Sequence, residues 1–93
     1  MITFTFLNKK EKELWLPRLF DLLYANMQVI CPSENTFDQE KAQWLGDVSP
    51  ALEKDPRQII LCLNGEKLVG YVQYYTRQNL LMIEEIQVEK SYQ

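Results

Sequence analysis

Histidine is absent from the 93 residues. That excludes Ser/His and Cys/His nucleophilic catalysis and any histidine-ligated metal site, so no metal is expected. Whatever chemistry the chain supports must run on carboxylates, tyrosine, lysine, backbone groups or a cofactor. Glycine and proline are sparse, at three and four residues, and no repeat or low-complexity run occurs, which excludes disordered and fibrous architectures. A positive field is missing as well. With ten basic and thirteen acidic side chains the net charge is -3, and nothing attracts a phosphate backbone, so no nucleic-acid partner is expected. No apolar run approaches the roughly 18 residues of a membrane helix, and the opening "MITFTFLNKKEKELW" lacks the pattern of a signal peptide. The chain is therefore expected in the cytoplasm, with no membrane partner. Cys31 and Cys62, the only cysteines, are each embedded in apolar residues. They read as buried free thiols, with a disulfide or a reactive thiol as the alternative.

What is present is the composition of one small globular domain, 46% hydrophobic and 25% charged. "ITFTFLN" alternates Ile2, Phe4 and Phe6 with Thr3 and Thr5, the period-two pattern of a half-buried strand. Leu16, Phe20, Leu23, Met27 and Ile30 then recur at helical spacing, with Leu19 and Leu22 widening the stripe, which predicts an amphipathic helix. Pro17 sits in its first turn or kinks it, and Pro32 ends it. Ser33, Asn35 and Thr36 are N-cap candidates, Gln39 completes a capping box with Thr36, and Gly46 is a stop signal, so a second helix is expected at about 36–45. Ser49-Pro50 can open a short third helix that ends at Asp55-Pro56, or the stretch is a loop. From Arg57 the period changes. "QIILCLN" and "KLVGYVQYYT" flank Asn64-Gly65, a type I′ hairpin signal; "RQN" turns the chain again, and "LLMIEEIQVE" is a third strand over 80–89. The expected architecture is α+β: a strand, two or three helices, then a three-stranded antiparallel meander.

This order of elements resembles the first half of the GNAT superfamily of acetyl-CoA-dependent N-acetyltransferases. The resemblance spans the chain in element order and its last eleven residues in motif. "IEEIQVEKSYQ" is similar to that family's signature strand: Ile83, Ile86 and Val88 stand at its apolar positions, Glu89 to Tyr92 at its turn, and Gln93 where the family carries Arg or Gln. The two glycines that follow in the family, and the helix they open, have no counterpart. The resemblance thus implies that 1–93 is one incomplete acetyltransferase domain, lacking the pyrophosphate loop and the C-terminal half and inactive alone.

The resemblance also implies a site. The carrier's pantetheine arm would lie against the last strand like an added strand, gripped by the backbone of Ile86, Gln87 and Val88, with Gln93 opening the pyrophosphate loop. Deprotonation of the attacking amine falls to a Glu or a water on this strand or its neighbour. Glu84 and Glu85, being adjacent, are expected on opposite faces; Glu84 is favoured, because Ile83 and Ile86 imply a bulge or twist that leaves the parity of this strand open. Tyr71, Tyr74 and Tyr75 read as half-exposed sheet aromatics, Trp15 and Trp44 as helix-packing residues. Substrate contacts are expected from about Asn26 to Phe37. The partners implied are acetyl-CoA and an amine acceptor. The chain is also expected to form a homo-oligomer through the unpaired 80–89 strand edge, and the alternative function is a non-catalytic α+β module that self-associates through that edge.

Overall fold

A computed structural model describes residues 1–30, 35–54 and 56–93, with side chains for all of these except 29 and 30. The β-rich segments at both ends of the chain form strands β1 (Ile2–Phe6), β2 (Gln58–Asn64), β3 (Lys67–Arg77) and β4 (Leu80–Val88). They lie in one antiparallel sheet in the order β1-β2-β3-β4. Two helices, α1 (Lys12–Ile30) and α2 (Phe37–Leu52), cover one face, and 3-10 turns at Lys9–Glu11 and Lys90–Tyr92 flank the first helix and the last strand. The α+β architecture is as expected, with β1 joining the meander beside β2 as its fourth strand.

The apolar stripe of α1 supplies the core. Leu16, Leu19 and Phe20 are buried, Leu16 and Leu19 in a cluster with Val48 and Leu52 of α2 and Ile59, Leu61 and Tyr71 of the sheet; Trp15 and Trp44 pack against that cluster. Pro17 is the sixth residue of α1, past the first turn, where its missing N–H leaves the Glu13 carbonyl without a helical donor. The capping box forms as read: Thr36 accepts from the Gln39 amide at 3.2 Å and Gln39 Oε1 accepts from the Thr36 amide at 2.9 Å. The capping candidate Ser33, the stop at Pro32 and Cys31 lie outside the described residues.

Among the described residues two α-helices form rather than three. α2 continues through both Gly46 and Pro50 to Leu52. Burial of Val48 and Leu52 overrides the local stop signals, because packing of an apolar face stabilises a helix more than propensity does. The carbonyl that Pro50 deprives of a helical donor is that of Gly46, four residues back. Lys12 ties this end of α2 down: it donates to the Ser49 carbonyl at 3.1 Å and pairs with Glu53, holding the Glu53 carboxyl below its ordinary pKa.

The turns also differ from the reading. Between β2 and β3 the two turn residues are Gly65 and Glu66, and only Gly65 has positive φ, +63°. Glycine at the first central position is the type II′ requirement, one residue later than the Asn64-Gly65 register assumed. The type I′ signature of two positive φ values falls instead on Gln78 (51°) and Asn79 (64°), between β3 and β4.

The sheet has one covered face and one open face. Thr3 and Thr5 pair with Leu63 and Leu61 and so share the helix-side face, while Phe4 and Phe6 pair with Cys62 and Ile60 on the opposite side. β1 is therefore not half-buried as its alternation suggested; Phe4 is 73% and Phe6 62% exposed. Val72 and Tyr74 of β3 and Ile83, Ile86 and Val88 of β4 continue the open face by register. Cys62, a half-buried free thiol, lies on it too.

Candidate functional site

A bulge re-aims the side chains of β4. The β3–β4 register slips between Gln73 and Tyr74, pairing them with Glu85 and Ile83 and leaving Glu84 without a partner. A bulge places two consecutive side chains on one side of the sheet, so the expectation that Glu84 and Glu85 face opposite ways is corrected. Glu84 stands 4.0 Å from Arg57, which also donates to Gln73 Oε1 at 3.3 Å on the helix-side face. Glu85 accepts a 2.5 Å hydrogen bond from the Tyr71 hydroxyl, itself buried on that face. Tyr71 is thus a buried residue and not a half-exposed sheet aromatic. Burial first, and the Glu85 carboxylate second, push its phenol well above the ordinary pKa.

Glu85 opens into a cavity of about 520 Å³ between α1, α2 and β4. Phe20, Tyr24 and Met27 of α1 form one wall, Glu40, Gln43, Trp44 and Asp47 of α2 the other, and Glu85 and Gln87 the floor. The aromatic side is preassembled, with Phe20 5.7 Å from Trp44 and 5.8 Å from Tyr24 between ring centroids. Three of the lining residues are carboxylates and none is Lys or Arg. An aromatic pocket lined by carboxylates and by no Lys or Arg favours a cation with an apolar body, through ring faces and Coulomb attraction together. Glu84 is not among the lining residues, whereas Glu85 is.

The backbone of β4 offers a second feature, a free edge beside the cavity. Among the described residues β4 has only β3 as a strand neighbour. The Glu89 amide donates to the Val69 carbonyl at 2.8 Å, which fixes the phase of the strand. Polar groups of alternate residues face the same way in an antiparallel strand, so those of Gln87 face β3 while those of Ile86 and Val88 face outward. The Val88 carbonyl is already taken, accepting from Asn26 Nδ2 at 3.1 Å and from Gln93 Nε2 at 2.8 Å. Among the described residues nothing occupies the outward N–H and C=O of Ile86. Of the four residues read as cofactor-binding, then, Ile86 and Val88 point their backbone to the open edge, Gln87 points its backbone inward and its side chain into the cavity, and Gln93 folds back onto the strand end.

Asn26 was missed as a fixed point: besides the Val88 carbonyl it donates to Gln87 Oε1 at 2.8 Å, tying the end of α1 to the strand. Asp47 was missed because the second helix was expected to stop at Gly46, and Gln43, inside the expected helix, was not singled out. Their spacing of four, like that of Glu40 and Trp44, is itself the signal that they share a helical face. Most of the loop expected to touch substrate lies outside the described residues. Among the described residues no cluster of ligating side chains fit for a metal occurs, and no helix is long and apolar enough to cross a membrane.

No family model matches the chain, and no curated protein does. A solved structure does: a possible acetyltransferase from Clostridium difficile 630 is similar over all of this chain at 16% identity, with a TM-score of 0.68. The 93 residues span 60% of that protein's length. At this identity the likeness speaks for the fold alone: a strand, a helix pair and an antiparallel meander.

Proposed function

We propose that the chain forms the acceptor side of an acyl-CoA-dependent N-acetyltransferase site, with acetyl-CoA as the acyl donor and a primary amine as the acceptor. The observation that carries this reading is the juxtaposition of the outward Ile86 backbone on the β4 edge with an aromatic cavity that holds Glu85. The acceptor enters the cavity as an ammonium ion between Phe20, Tyr24 and Trp44. Glu85 takes its proton, steadied in position by Tyr71; the freed amine attacks the thioester carbonyl lying along β4, the C–S bond breaks as the amide forms, and the CoA thiolate leaves, taking up the proton that the amide nitrogen sheds. The role of base thus moves from Glu84, which stands outside the cavity, to its neighbour. Val88 contributes its outward N–H to the carrier, and Gln87 its amide side chain to the acceptor. No Gly-x-Gly stretch is present to cradle a pyrophosphate, so these residues grip only the pantetheine end, and turnover by the 93 residues alone is expected to be negligible.

The test is titration with phenethylammonium, followed by tryptophan fluorescence and by ¹⁵N chemical shifts. Saturable shifts at the Trp44 indole and at Gln43, weakened about tenfold or more in Glu85→Gln, are the expected result, since a lost partly buried charge contact is worth about 1.4 kcal/mol or more. Unchanged binding in Glu85→Gln overturns the assignment. A second reading, a non-catalytic module that pairs copies through the 80–89 edge, is favoured by β4 having a single strand neighbour among the described residues. It predicts oligomers and no response to the amine.

A further inference from the structure

The open face of the sheet is the largest feature that the proposed chemistry leaves unused. It crosses all four strands, from Phe4 and Phe6 on β1, through Ile60 and Val72, to Ile83 and Ile86 on β4. Ile83 is 56% and Ile86 57% exposed, much like the two phenylalanines. With Ile2, Leu81 and Val88, these side chains leave on the order of 800 Å² of apolar surface open. That is more than the 300–600 Å² largest patch of an ordinary monomer, and about what each partner of a stable complex buries.

We infer that this face is the contact between two copies of the chain, packed sheet on sheet. Its charge pattern selects the occupant. Between its rims the face-side positions of the four strands carry no acidic or basic side chain; Lys67 and Glu89, 3.8 Å apart, stand at one rim as a pair. A twofold contact brings one surface against itself, so a patch of either sign repels its own copy, whereas an uncharged one does not. The net charge of -3 lies elsewhere on each copy, largely screened across sheets stacked about 10 Å apart. The β4 edge is the weaker contact, since Asn26 and Gln93 already cap its Val88 end, and edge pairing alone leaves the open face in water. This inference is independent of the acyl-transfer reading.

Light scattering coupled to size exclusion, and sedimentation equilibrium from 5 to 500 µM, test it on the full chain. The expected result is a monomer–dimer equilibrium that plateaus at twice 11.1 kDa. Phe4→Lys and Ile83→Lys are each expected to raise the dimer dissociation constant roughly 100-fold or more, the effect of losing an interface hot spot. Both positions are exposed, so the variants should keep the wild-type circular dichroism spectrum. Leu14→Lys, exposed on α1 away from the face, leaves the constant unchanged. A monomer at 500 µM overturns the inference, as does a mass that grows without plateau. So does a dimer indifferent to both lysines in which the Ile86 amide is protected from exchange, because that places the contact on the edge.

Discussion

Removing one hydroxyl, in Tyr71→Phe, is expected to change stability differently on either side of about pH 10. Tyr71 is 3% exposed, and its hydroxyl donates to Glu85 at 2.5 Å. A hydrogen bond to a charged acceptor contributes about 1.5–3 kcal/mol, and because Glu85 is only half-buried and can turn to cavity water, the lower end applies at pH 7. Above neutrality the proton takes over. Burial, and then the carboxylate, raise the folded-state pKa of the phenol above that of the unfolded chain. The unfolded chain therefore releases its proton first as pH rises. The corresponding stability is present in full below about pH 10 and drains away above it at about 1.4 kcal/mol per pH unit, or about 2 kcal/mol by pH 11.5. The phenylalanine variant has no such proton, and every other titrating group is common to both proteins. Urea unfolding followed by Trp15 and Trp44 fluorescence at pH 7, 9, 10.5 and 11.5 should thus give two stability curves that run parallel, then converge. Curves that stay parallel to pH 11.5, or a variant as stable as wild type at pH 7, would refute a buried phenol tied to Glu85.

Two further substitutions test the strands that frame the site. Gln78→Gly relieves a side chain held at φ 51° and, net of the entropy glycine adds to the unfolded chain, should raise stability by about 0.5–1 kcal/mol in urea unfolding. Gly70→Ala places a Cβ 2.9 Å from the Gln87 carbonyl oxygen, a backbone atom that cannot swing aside. It should cost about 1–3 kcal/mol and speed amide exchange along β4; an alanine variant as stable as wild type contradicts the close β3–β4 approach described here.

The fold was legible wherever periodicity was unbroken. The stripe of α1 and the alternation of the strands named the elements, and the Thr36–Gln39 capping box opened α2 where it was read. What local signals could not reveal was set by contacts distant in sequence. Gly46 and Pro50 are genuine breakers, yet α2 runs through them because Val48 and Leu52 bury against α1 and the sheet. Phe4 and Phe6 show an apolar strand face but not what covers it. The site was half legible for the same reason. β4 and its pair of carboxylates were found from sequence, and a bulge or twist was expected there, but parity around a bulge depends on the partner strand. Only the pairing of Gln73 with Glu85 and of Tyr74 with Ile83 shows that both acids share a side and that Glu85 is the one in the cavity.

The central claim is that the outward backbone of β4 beside this cavity receives an acyl carrier. Mapping ¹⁵N amide shifts on addition of acetyl-CoA, up to several millimolar, tests it most directly. Shifts are expected to concentrate at Ile86 and Val88 and to extend to Gln87, with weak affinity because these residues contact no pyrophosphate. Shifts scattered over other surfaces with residues 84–88 unmoved, or none at all, would contradict it.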